Sequence, residues 1–480
     1  MKVEIKNFGP IEYLEFDLDQ DLHLIYGQNA IGKSYATYCL YCLMKNITNK
    51  SITANYHYPD ESNPFKTFVE KRIKNIKGES SIDITKEYIQ LIENELSNIL
   101  LSGLQNSLLN TFSSLTNLRN RFTNKNYEII VSLDSKEKII ITSDDEGAIQ
   151  LKYSGELSKI EFVEKKTKST RISLFVNGKI EFGKPNEDAF TSDFIIYGLN
   201  VVNKILRKLD FNIRDIYYLP ASRSGLYQAL NAFTPIIAEL TQNRFFIQNK
   251  SIELPSLSEP LSDYFIDLST VDKKNINKEF EEVIEMLEKN VLKGEVEYND
   301  KTRRIMYKPS DIDLELNLSE ASSMVAEISP IVIYFKHIIN YKYSSNRNRD
   351  RFFFDPYYNR SYRGKKQKLK GYDVIFIEEP EAHLHPEIQI ALIEVFAKLS
   401  DLNLKIFITS HSNYMFNKIN NLLLDNKIDK DKIMVYHLVK NDNGSTQNKE
   451  MQVTQEGIND DNFQEVSEKL YYERMKIYEK

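Results

Sequence analysis

Residues 27–34 read Gly27-Gln28-Asn29-Ala30-Ile31-Gly32-Lys33-Ser34, a complete G-x-x-x-x-G-K-[ST] loop, and this stretch restricts the possible folds more than any other. It follows the alternating segment Leu22, Leu24, Tyr26, read as a strand, and opens a helix predicted from about Lys33 to Met44. A chance match would lack that strand–loop–helix setting. The two glycines let backbone N–H groups turn inward around a β-phosphate, with Gln28, Asn29, Ala30 and Ile31 completing the wrap. Lys33 places a charge on the β- and γ-phosphates, and the Ser34 hydroxyl ligates Mg²⁺. The expected fold is therefore α/β, and the expected ligands are a nucleotide and Mg²⁺.

Composition removes other classes. A chain of 480 residues with 41 % hydrophobic and 28 % charged residues is an ordinary globular sequence, with room for two or three lobes. Two cysteines make no disulfide framework; Cys39 and Cys42 spell C-x-x-C, but at i and i+3 inside the loop's helix they read as core residues. The opening Met-Lys-Val-Glu-Ile-Lys alternates like a strand, not like a leader peptide. The longest apolar run, Ile328 to Ile339, falls short of the roughly 18 residues of a membrane span and contains Lys336. A cytoplasmic chain without a membrane partner is expected.

Two further motifs bear acids and a histidine. Val374-Ile375-Phe376-Ile377 runs straight into Glu378-Glu379-Pro380, as a buried parallel strand whose C-terminal end meets phosphates. Glu378 is assigned to Mg²⁺, and Glu379 to orienting or deprotonating the attacking water. A surface acid pair is the competing reading, disfavoured by the apolar residues before it. Ile406-Phe407-Ile408-Thr409-Ser410-His411 is another strand, ending 32 residues beyond Glu379 across one helix, and His411 there can hydrogen-bond a γ-phosphate.

Together these motifs resemble the ATP-binding-cassette type of P-loop ATPase, in the branch shared by SMC and double-strand-break-repair proteins. The phrase Glu378-Glu379-Pro380-Glu381-Ala382-His383-Leu384-His385-Pro386 is similar to the prokaryotic OLD-like, AAA_15-type ATPases, as are Lys6-Asn7-Phe8-Gly9-Pro10-Ile11 and Thr409-Ser410-His411-Ser412. The resemblance implies an ABC-type P-loop NTPase core with inserted β and helical lobes, and makes the nucleotide cofactor ATP. It makes His411 the γ-phosphate switch and Glu381 to Pro386 a loop that crosses a dimer interface. Ile216-Tyr217-Tyr218-Leu219-Pro220-Ala221-Ser222-Arg223 resembles the group's strand-then-arginine segment; Arg223 is open to a phosphate-sensing or a partner-binding role. The signature, at a helix N-terminus between the two acid-bearing regions, is assigned to Ser322 and Ser323, although a glycine usual in the family is replaced here. Plain helix capping is the competing reading.

The domain boundaries expected are 1–60 and 372–480 for the two parts of the ATPase core, 61–210 for an inserted helical and β region, and 211–343 for a helical lobe with the signature. Residues 344–371 form a basic, aromatic-rich insertion with a local charge of +7 against −13 elsewhere. That insertion suits nucleic acid or an acidic partner, or a solvated loop. Only 69 residues of the sequence follow His411, too few for the nuclease domain of OLD proteins, so any nuclease effector is expected to be a separate chain. The resemblance then implies a homodimer or larger homo-oligomer that regulates a separately encoded nuclease or toxin, like the ATPase subunits of the phage-defence systems PARIS and Septu. The alternatives are a DNA-repair or recombination ATPase acting directly on nucleic acid, and a low-turnover ATP-dependent scaffold or sensor.

Overall fold

The structure, a computed structural model, describes residues 1–49, 63–76, 81–155, 159–166, 170–209, 211–229, 257–273, 277–339, 371–449, 451, 453–454, 457–458 and 471–477. The basic insertion therefore lies outside the described residues, apart from Gly371.

Five strands with long apolar runs line up in parallel. They are β3 (Leu22–Gly27), β11 (Ile213–Leu219), β15 (Tyr372–Glu378), β16 (Leu404–Ser410) and β17 (Ile433–Asn441), in the order β11-β15-β16-β3-β17. Such strands are covered on both faces, so consecutive residues feed opposite cores. Val374 and Phe376 join the core under helix α1 (Lys33–Asn49) and helix α3 (Thr85–Phe112). Ile375 and Ile377 join the core under α8 (Ser323–Ile333), α9 (Pro386–Leu399) and α10 (Asn413–Leu424). The expected α/β P-loop fold is the one observed.

The sheet continues past β17 with mostly antiparallel neighbours. There stand β18 (Gly444–Gln447), β2 (Ile11–Asp17), β1 (Lys2–Phe8), β5 (Glu128–Ser132), β6 (Lys138–Ser143) and β7 (Ile149–Ser154), making eleven strands in all. Three strands from the 61–210 region thus extend the core sheet. The rest of that region builds a separate four-stranded sheet from β4 (Ser81–Asp83), β8 (Ile160–Lys166), β9 (Thr170–Val176) and β10 (Lys179–Lys184). Asn177 and Gly178 turn β9 into β10 with φ of 50° and 74°, the left-handed pair a tight hairpin needs. Against this sheet pack α4 (Glu187–Leu209) and α2 (Pro64–Ile76), the latter inside a stretch that reads as weakly patterned. Its lysines mask a spacing of four residues between Phe65, Val69 and Ile73, all of which are buried.

One central position makes stability depend on pH. His23 of β3 is fully buried, its ring stacked on Phe407 at 4.1 Å and its Nδ1 3.1 Å from the Tyr436 hydroxyl. Burial, helped by the charge of Lys405, pushes its pKa down to about 3. The unfolded chain takes up this proton near pH 6.5, the folded chain only near 3, so stability is lost as pH falls through the unfolded value. Between pH 7 and pH 5 the wild type is expected to lose about 2 kcal/mol more than His23→Phe in parallel urea titrations. Equal losses would show that His23 takes its proton in the fold.

Candidate active site

The phosphate loop departs from β3 because its glycines go where a side chain cannot. Gly27 has φ +150° and a Cβ there would meet Leu438 O at 2.8 Å; Gly32 has φ +108° and its Cβ would meet Pro10 Cγ at 2.8 Å. Gln28, Asn29 and Ala30 stand exposed at the loop's tip, while Ile31 is buried beneath it. Lys33 begins α1 and is buried, donating to Gly27 O at 3.0 Å and Gln28 O at 3.1 Å. Burial lowers its pKa to about 8, against the pull of Glu379, Glu381 and Glu378.

The sheet register brings the distant motifs together. Glu378 pairs with Thr409 and Ser410 with Tyr26, so β15, β16 and β3 end side by side, although Lys33 and Glu378 are 345 residues apart. Beyond those ends, Lys33 Nζ lies 2.7 Å from His411 Nε2, and the same nitrogen lies 3.3 Å from Glu379 Oε1. Nε2 carries at most one hydrogen, so it accepts from Lys33 or donates to Glu379, not both. Glu379 follows the strand in the left-handed region, φ 40°, held there by its N–H on Thr409 O at 3.0 Å. Such a conformation in a non-glycine residue stores strain in the turn. His411 beside it, with Lys33 and Arg223 nearby, lowers the Glu379 pKa despite partial burial, which keeps it ionised.

Glu378 is the buried member of the acid pair. Burial raises its pKa, against the influence of the nearby Ser34 and Tyr218 hydroxyls and Ala221 N–H, which favour the charged form. Its Oε1 has no hydrogen-bond partner. A buried carboxylate with an open oxygen, beside a serine hydroxyl, is a donor set that fits a hard divalent cation such as Mg²⁺.

Glu381 turns inward rather than outward. It is buried, its Oε1 accepting the Ser410 hydroxyl at 2.8 Å and the His411 N–H at 2.6 Å, so it braces the histidine's backbone. His383 and His385 of the same loop are exposed.

Arg223, whose role the sequence leaves open, lies inside the fold. It is fully buried, at 0 % exposure, as is Glu327 of α8. Its Nη1 donates to Glu378 O at 2.8 Å and Pro220 O at 2.9 Å, and its Nε to Glu327 O at 3.0 Å. The Glu327 carboxylate lies 3.4 Å from the guanidinium and also accepts the Ser224 hydroxyl at 2.6 Å. With those donors engaged inside the fold, the Arg223 guanidinium is turned inward and presents no surface to a partner. It ties the Glu378 carbonyl behind the acid pair to helix α8. Sequence reasoning missed Glu327; the signal was a lone acid in the apolar run Met324 to Ile333.

Ser322 and Ser323 are exposed, at the N-terminus of α8, where the Ser322 hydroxyl accepts the Val325 N–H at 3.4 Å. The capping reading is thus realised, and the helix end remains open to solvent.

A family model described as "AAA ATPase domain" (AAA_15) matches residues 1–416. Among curated proteins none matches the chain. Three solved SMC heads each align over 93 % of this chain. An SMC head bound to the C-winged helix domain of ScpA has 10 % identity, 96 % of that chain covered and a TM-score of 0.35. The SMC head domain from Thermotoga maritima has 9 %, 97 % and 0.32, and a head with an extended coiled coil bound to the C-terminal domain of ScpA derived from Pyrococcus furiosus has 11 %, 95 % and 0.33. Among the described residues no helix is long and apolar enough to cross a membrane.

Proposed function

Because the chain belongs to the AAA_15 family of AAA ATPase domains, we propose that it binds Mg²⁺-ATP at the loop 27–34, hydrolyses it, and does so as a dimer that closes over two nucleotides. The observation that carries this reading is the meeting of Lys33, Glu379 and His411 at the ends of adjacent parallel strands. Lys33 turns from Gly27 O, Gln28 O and His411 toward the β- and γ-phosphates. That leaves His411 Nε2 free to donate to Glu379 or to a γ-phosphate oxygen. Glu379, ionised and half-exposed, orients the attacking water and takes its proton. Ser34 and Glu378 would hold Mg²⁺, which when bound offsets phosphate charge.

The dimer reading rests on α8. Its open N-terminus offers Ser322, Ser323 and free N–H groups to the γ-phosphate of a second copy. One turn on, Glu327 connects through Arg223 to the carbonyl of Glu378, so a ligand at one helix end would bear on the acid pair of its own chain. Ser322→Asp separates the two roles of that serine. Aspartate caps a helix as well as serine does, but repels a phosphate. The variant should keep its melting temperature and its ATP affinity as a monomer while losing ATP-induced dimerisation, read by analytical ultracentrifugation, and with it hydrolysis. A variant that dimerises normally with ATP would remove the signature assignment.

The hydrolysis is proposed to be slow and regulatory, acting on a separately encoded nuclease or toxin in anti-phage defence. This part rests on the resemblance of Glu378 to Pro386 and of Thr409 to Ser412 alone. Co-expression with the protein encoded next to it tests it: a stable, ATP-sensitive complex is expected, and DNA binding by the isolated chain without such a complex would favour a repair ATPase instead.

A further inference from the structure

Beside the phosphate loop stands an exposed aromatic ring that neither the core nor the hydrolytic residues use. Residues 119–124 connect the α3 region to β5 and lie along the β1–β2 turn. The Gly9 N–H donates to Leu118 O at 2.8 Å, and the Arg121 N–H to Gly9 O at 2.9 Å. Asn120, only 1 % exposed, fixes the turn's shape. Its Nδ2 donates to Asn443 O at 3.0 Å, and its Oδ1 accepts the N–H groups of Phe122 at 2.9 Å and Thr123 at 2.8 Å. A loop braced in this way holds out two side chains, Arg121 and Phe122, the latter 51 % exposed.

Arg121 lies against the first turn of the helix that leaves the phosphate loop, and Phe122 stands beside the β1–β2 turn. A Cβ on Gly444 would stand 3.4 Å from the Phe122 ring and 2.6 Å from Pro10 O, and Pro10 in turn abuts Gly32, the loop's last glycine. Arg121 sets its guanidinium 4.9 Å from the centre of the Tyr35 ring and hydrogen-bonds its hydroxyl, and Tyr35 directly follows Ser34. A flat apolar ring and a cation, rigidly held on the β1–β2 side of the loop, match the other end of a nucleotide: a base with a π-face joined through its sugar to an α-phosphate.

Resting on the ATP reading of the loop, we propose that Phe122 and Arg121 form the base platform of this site, Phe122 stacking under the base and Arg121 standing at the sugar–phosphate end. Stacking accepts any base, more strongly a purine, so the platform adds affinity for nucleoside triphosphates over bare polyphosphate.

Calorimetry with ATP and with inorganic tripolyphosphate tests it. Phe122→Ala should raise the Kd for ATP on the order of tenfold and leave that for tripolyphosphate unchanged, as loss of one base stack requires. The chain contains no tryptophan, so Phe122→Trp supplies a single indole, whose emission should change with ATP and not with tripolyphosphate. Unchanged ATP affinity in Phe122→Ala, or a silent indole, with ATP binding still dependent on Lys33, overturns the platform alone. Absence of ATP binding by the wild type, or binding indifferent to Lys33→Ala, overturns the loop reading and the platform with it.

Discussion

Glu379→Gln is expected to bind ATP and hold it unhydrolysed. The carboxylate is kept ionised by His411 and Lys33 and stands half-exposed at the ends of three strands, where it can take a proton from water. An amide of the same shape keeps the turn but accepts no proton, and loss of a general base costs roughly 10²–10⁴ in rate. Nucleotide should stay with the protein through gel filtration, whereas Lys33→Ala should retain none, its phosphates having lost their main charge partner. Turnover by Glu379→Gln at the wild-type rate would show that the base lies elsewhere.

Arg223→Met should be among the most destabilising single changes in the chain. Arg223 and Glu327 are both fully buried, and the guanidinium is also the donor that holds Glu378 O and Pro220 O. Removing it leaves the Glu327 carboxylate without its cation in the interior, and breaking a buried pair in this way costs about 3–5 kcal/mol. Glu327→Gln alone leaves the opposite charge uncompensated and should also destabilise. The double variant Arg223→Met/Glu327→Gln should recover part of the loss, because no unpaired charge remains. Urea unfolding of the three variants beside the wild type reads this out. A loss below about 1 kcal/mol for Arg223→Met would show that water reaches the pair.

The sequence by itself determined the features whose cause is local. A phosphate loop needs its glycines, its lysine and its flanking strand and helix within a short stretch, and Leu22 to Met44 contain all of them. Four apolar residues before two acids announce a buried strand ending in carboxylates, which is how β15 stands. Ser322 reads as a helix start because a cap acts over three residues, and it caps α8.

Tertiary structure decided whatever depends on a partner far along the chain. An arginine after a strand reads equally well as a sensor or a surface, because burial of its charge is set by Glu327, 104 residues away. Glu381 was legible as part of the loop after the acid pair, but its inward turn depends on Ser410 and the His411 N–H, brought beside it by the β15–β16 register. The weak pattern of 51–80 hides α2 because its stability comes from α4 and the second sheet, not from helix propensity. The strands β5 to β7 look like those of β8 to β10 in sequence, yet they join a different sheet, since alternation specifies a face and leaves the neighbour to be chosen by packing.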